Sequence, residues 1–187
     1  KTEGNGGAAA EETTASLVPS SVVDLLAQRN NELKNAQALG SNGAPYNLSN
    51  STGAATVENT ANSYVISAPG VYMFPLVYGN AIKNGATNSS AYKGNVADFK
   101  ANVNGTMKNV ILQNLVDHAG AKITDPWIEK TNGGANKTVN AAQIVWTDEA
   151  NIVRSNAVSI YRDGSGNAFV KFEVKQADIK SGNTVIA

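Results

Sequence analysis

A Pro-Gly pair set between two apolar, β-rich runs constrains the fold of this chain more than any other feature. Residues 59–85 read NTANSYVISAPGVYMFPLVYGNAIKNG. The runs 64–66 and 71–78 flank Ala68-Pro69-Gly70. Proline presets φ for the first central position of a type II turn, and glycine supplies the positive φ required at the second. The expectation is strand, turn, strand.

Further strands are expected at 143–147 around Trp146, at 157–162 and at 168–175, where Val170, Phe172 and Val174 alternate with Lys171, Glu173 and Lys175. Asp163-Gly-Ser-Gly-Asn167 joins the last two as a hairpin, and a final strand begins at Thr184. The protein holds 24 asparagines and 17 glycines in 187 residues, with 16% charged, a composition suited to many turns rather than a helical bundle. Short strands, close turn signals and one polar face predict a mainly β protein, an antiparallel Ig-like β-sandwich. No crossover helices between strands and no fixed-period repeat are found.

Four stretches divide the sequence. Residues 1–18 offer almost nothing to bury and are expected as a flexible arm, in wording that looks like the start of a processed product. Residues 19–40 are expected as a helix of about five turns, with Ser20 or Ser21 as cap, Asp24 completing a capping box, Val22, Leu25, Leu26 and Leu33 at helical spacing, and Gly40 beyond its end. Asn30-Asn31 weakens its middle. Residues 41–58 form a Gly/Ser/Asn-rich linker, and 59–187 form the β domain. Within it, 80–95 and 131–137 read as loops, and Pro126 keeps 123–128 extended. Met107, Val110, Ile111, Leu115 and Val116 are read as one face of a short helix ending at Gly120, although a buried strand also fits them.

Fifteen basic residues cancel fifteen acidic ones and no basic run occurs, so nucleic acid and anionic membrane surfaces are set aside as partners. Without cysteine there are no disulfides, thiolate nucleophiles or zinc-thiolate sites. No apolar run approaches the ~20 residues of a membrane-spanning helix. Five Asn-x-Ser/Thr triplets start at Asn47, Asn50, Asn88, Asn104 and Asn136, as chance produces in so asparagine-rich a sequence.

Catalytic chemistry finds no constellation. His118 is the only histidine, its neighbour Asp117 points away from it, and no Gly-x-Ser-x-Gly elbow accompanies it. Asp163, Ser165 and Asn167 offer alternate oxygens like half a calcium loop, but the twelfth position would be Val174. Asp98, Asp117, Asp125, Asp148, Glu149 and Asp163 are scattered acids, and no phosphate-cradling glycine loop is present. No catalytic residue, metal ligand or cofactor site is assigned. Trp127 and Trp146 are the candidates for a ligand-stacking platform, against the commoner role of aromatics as core cover.

The segment 59–85, with its Thr-Ala-Asn-x-Tyr-x-Ile opening and Pro-Gly-x-Tyr turn, resembles fimbrillin-like surface proteins of Gram-negative gut and oral bacteria. DHAGAKITDPWI at 117–128, AAQIVWTD at 141–148 and KQADIKSGNTVIA at 175–187 resemble the same family in the same order. Ser63 stands where the family often has cysteine, a small change for a buried position. The resemblance implies a non-enzymatic cell-surface or fimbrial structural module, located at the outer membrane or fimbrium, whose partners are other protein subunits or host surface ligands. Carbohydrate or host-ligand binding by a surface lipoprotein is the alternative. The family continues past Asn-x-Val-Ile-Ala with a Trp-rich strand, whereas this sequence stops at Ala187, as a trimmed polypeptide also would. The resemblance therefore implies an open edge at Thr184, Val185 and Ile186, where a neighbour's strand can add.

Overall fold

The computed structural model describes residues 23–94, 100–109, 115–134 and 138–187. The expected arm and the capping serines lie outside them. From the N-terminus the elements are helix α1 (Leu25–Asn35) and strands β1 (Tyr46–Asn47), β2 (Gly70–Pro75), β3 (Ile82–Lys83), β4 (Ala86–Thr87), β5 (Lys100–Val103), β6 (Thr106–Asn109), β7 (Ile144–Thr147), β8 (Ser159–Arg162), β9 (Ala168–Val174) and β10 (Thr184–Ile186). The protein is mainly sheet, and its described strands close no barrel.

The central sheet has the order β1-β2-β9-β8. β2 and β9 pair antiparallel over six positions, from Gly70 with Val174 to Pro75 with Phe169. Side chains alternate between faces, so Tyr72, Phe74, Val170, Phe172 and Val174 share one of them. Tyr72, Val170, Phe172 and Val174 are buried there with Leu33 of α1, Val153 and Ile179. Each large apolar side chain removed from water in this way contributes roughly 1.5–3 kcal/mol. Lys171 and Glu173 stay half-buried on the opposite face, as their alternation predicts. That face becomes apolar toward the other end of β9, where Phe169 meets the rings of Trp127 and Tyr161 edge-on at 5.8 and 6.2 Å.

The strands expected at 143–147, 157–162 and 168–175 form as β7, β8 and β9, and the Asp163–Asn167 hairpin closes with Asp163 N–H on the carbonyl of Asn167. Other expectations are corrected. No ladder joins 64–66 to β2, so the Pro-Gly pair does not turn a hairpin. Instead Leu39 lies against Gly70: its N–H donates to Pro69 O and its carbonyl accepts from Val71 N–H, both at 2.9 Å. A Cβ on Gly70 would sit 2.0 Å from the carbonyl oxygen of Leu39, so glycine is required for this close approach rather than for a turn.

α1 is shorter than the expected five turns. Asp24 caps it, its carboxylate accepting from Ala27 N–H at 3.0 Å, and the backbone turns extended at Ala36 so that Leu39 can reach Gly70. The stretch read as a linker supplies β1, which pairs parallel to β2 and places Tyr46 beside Tyr72. Asn47, fully buried, holds the following loop through the carbonyls of Ala55 and Thr56 and through Ser49. The sequence reading also missed two Asn-Gly hairpins, β3–β4 around Asn84-Gly85 and β5–β6 around Asn104-Gly105. All four turn residues have φ between 51° and 79°, the left-handed backbone that makes Asn-Gly the favoured two-residue turn. Met107 lies in β6, not on a helix, because the Asn-Gly turn sends the backbone straight back along β5. Residues 110–114 of that expected helix are outside the described ones.

Glu129 fastens β8 to the loop that carries Trp127. It accepts from both terminal nitrogens of Arg162, at 2.8 and 2.9 Å, and from Val139 N–H. The Arg162 hydrogen bonds, opposed by burial and reinforced by Val139 N–H, hold the Glu129 carboxyl below its usual range. A carboxyl depressed on folding contributes stability above its ordinary pKa and loses it as pH falls through the lowered value. Glu129→Gln is therefore expected to flatten the acid limb of a plot of urea midpoint against pH. It should change little above the carboxylate range beyond the loss of the ion pair itself.

Candidate functional site: a groove between two unpaired edges

The apolar face of the central sheet is covered by the extended segment 61–67 on one side and by the β7–β10 ribbon on the other. Tyr64 stacks on Phe74 at 5.9 Å, and burial pushes its hydroxyl pKa up. Ile66, Ile144, Ile152 and Ile186 pack against the core cluster. Exposure alternates along the segment, with Val65 91% exposed between half-buried Tyr64 and Ile66, the period of a strand. Between the two banks runs a cavity of about 510 Å³, floored by Phe74, Phe172, Val174 and Val153.

Both banks carry free backbone groups. From Asn62 to Ser67 no main-chain N–H or carbonyl has a protein partner among the described residues. β10 pairs antiparallel with β7: Ala187 and Gln143 exchange both bonds, and Asn183 O accepts from Asp148 N–H. Alternate residues of an antiparallel strand bond to opposite sides, so Thr184 and Ile186, lying between those positions, turn their N–H and C=O groups away from β7. Val145 is the extra residue in β7, facing the step between Val185 and Ile186.

The entry to β10 is fixed by Asp148, whose oxygens accept from Asn183 N–H and Asn183 Nδ2, each at 2.6 Å. The Asn183 backbone, then its side chain, lower the Asp148 pKa. Gly182 precedes it in a space where a Cβ would lie 2.6 Å from Ile152 Cδ1. Thr184, Val185 and Ile186 of the expected edge all border the groove, Thr184 and Ile186 with their side chains half-buried and Val185, 49% exposed, paired opposite Trp146, 53% exposed.

Trp127 and Trp146 are not brought together as one platform. Trp127 is half-buried against Phe169, with Lys130 Nζ 5.3 Å from its ring centroid. Trp146 stands on β7 beside exposed Val145. Other polar groups singled out in the sequence serve local structure. Buried Asp117 accepts from Ala119 N–H, Ala121 N–H and Asn132 Nδ2. Burial raises its pKa, but these bonds and His118 outweigh it and the net shift is downward. Asp163 accepts from Ser165 N–H, Asn167 N–H and Asn167 Nδ2, the bonding of an Asx turn. Among the described residues no three of His, Cys, Asp or Glu cluster to hold a metal ion, and no helix is long and apolar enough to cross a membrane.

The sequence reading missed the unpaired bank at 62–67, and no local signal could have found it, since the runs on either side of Pro69 read as partners. Comparison with known proteins gives no neighbour: no family model, no curated protein and no solved structure matches this sequence.

Proposed function

We propose that this protein is a non-enzymatic structural or adhesion module of the cell surface, fimbrillin-like in kind, which joins other protein subunits by accepting a β-strand into the groove between 61–67 and β10. In this reading the body is an incomplete β-sandwich, its second layer made of the segment 61–67 and the β7–β10 ribbon. One observation carries it: an apolar floor lies between two banks whose backbone donors and acceptors are free. Strand addition uses those features together, with main-chain bonds giving affinity and alternate side chains filling the floor.

The probe is a synthetic peptide with valine or isoleucine at alternate positions, paired with a copy whose backbone amides are N-methylated. The expected result is binding of the first and not of the second, since methylation removes donors and leaves side chains in place. A full-length sample that stays monodisperse at high concentration and ignores both peptides would sink the reading. Binding of a glycan instead, abolished by Trp146→Ala, would favour the alternative of a carbohydrate-binding surface protein, which rests on the exposure of Trp146.

A further inference from the structure

Four Asn-Gly pairs lie in described turns, at Asn42, Asn84, Asn104 and Asn132, and their surroundings differ. Asn84 N–H donates to Asn59 Oδ1, and Gly85 N–H is engaged by Glu58 O at 2.9 Å. Asn132 is held through its N–H on Thr124 Oγ1 and its side-chain amide on Asp117 Oδ2. Asn42 sits in a turn closed from both ends, Ser41 N–H donating to Ala44 O and Ala44 N–H to Ser41 O and Oγ. Asn104 has neither the restraint of Asn84 nor that of Asn132; its turn is closed as that of Asn42 is, by the pairing of Val103 with Thr106, so what sets it apart from Asn42 is the ribbon that carries it. Its side chain and the Gly105 amide have no protein partner among the described residues, both residues are exposed, and a Cβ on Gly105 would meet nothing within 4 Å. The hairpin beneath it, β5–β6, is a ladder of two strands with no third among the described residues. Such a ribbon is marginally stable in water and opens locally before the body of the protein does.

We propose that Asn104 is a site of spontaneous covalent modification, an internal imide-forming deamidation. The Gly105 backbone nitrogen attacks Asn104 Cγ and loses its proton, the bond from Cγ to Nδ2 breaks, and ammonia leaves. The resulting five-membered succinimide is opened by water at either carbonyl, giving aspartate or isoaspartate with no change of oxidation state. The left-handed turn geometry, with φ of 51° and 79°, does not itself present the nitrogen to Cγ, so the reaction proceeds from the opened hairpin and its rate reports that opening. The product adds a negative charge, and isoaspartate adds a backbone methylene to a two-residue turn that sets the Val103–Thr106 register.

The test ages the folded full-length protein in warm, mildly alkaline buffer and follows each Asn-Gly peptide by mass mapping, where conversion adds about 1 Da. Asn104 is expected to convert at least roughly ten-fold faster than Asn42, Asn84 and Asn132, with the gap collapsing in denaturant because all four then share one dipeptide chemistry. Conversion of any of the other three at the rate of Asn104 in the folded protein would overturn the assignment, as would a gap that persists in denaturant. The outcome is independent of whether the groove accepts a strand.

Discussion

Tyr72→Ala is expected to cost about 3–5 kcal/mol, the range for deleting a large buried aromatic side chain. Tyr72 is 1% exposed and sits where three structural devices meet. Its ring packs on Phe172 at 5.9 Å and on Tyr46 of β1 at 6.0 Å, and its hydroxyl donates to Ala68 O at 2.6 Å. Alanine removes the ring that ties the parallel edge strand to the core and the donor that fixes the backbone just before Pro69. Burial, then the neighbouring Tyr46, push its pKa up to about 12, so the hydroxyl remains a donor across the physiological range. Tyr72→Phe separates the two contributions. It keeps the packing and is expected to cost only about 1–3 kcal/mol, from leaving the buried Ala68 carbonyl without its donor. Urea unfolding of both variants checks this, and equal losses would mean that the ring contributes nothing beyond its hydroxyl.

Gly70→Ala is expected to destabilise by about 2–3 kcal/mol, although it adds a single methyl group at the start of a strand. The φ of 156° belongs to a region that side chains rarely adopt, and the new Cβ would lie 2.0 Å from a backbone oxygen, that of Leu39. Unlike the flexible tip of a lysine, a backbone carbonyl cannot swing aside. Relief requires breaking the bonds from Leu39 N–H to Pro69 and from Val71 N–H to Leu39, which detaches the end of the α1 connection from β2. Hydrogen exchange at Val71 and Leu39 is the direct readout: both amides should lose protection in the variant while those at the centre of β9 keep theirs. Retained protection at both would mean that the contact is incidental.

Much of the sheet was legible because its signals are local. The alternation of Val170, Phe172 and Val174 with charged residues decides which face of β9 is buried, and the Asp163–Asn167 turn brings β8 back along it. Two Asn-Gly hairpins were legible in principle, since their left-handed turn needs those residue types, yet Asn84-Gly85 was expected as part of a loop and Asn104-Gly105 drew no expectation. The helix was recognisable by Leu33 and its neighbours, but not its start, because Asp24 and the serines before it are equivalent caps on paper.

The resemblance, not the residue pattern, pointed to Thr184, Val185 and Ile186, and the cavity that these residues border could not be foreseen from either. A run such as 64–66 carries the same β-type side chains whether it pairs with its neighbour across Pro69-Gly70 or faces a gap. The choice was made by Leu39, which takes the place beside Gly70 that a hairpin partner would have held. Residue order alone determined β7, β8 and β9, the turn between the last two and the buried face of β9, since these follow from side-chain period and turn chemistry. Which strand edges stay unpaired is a property of the assembled fold, because backbone pairing depends on groups that every residue except proline carries alike and on which distant segment comes to lie alongside.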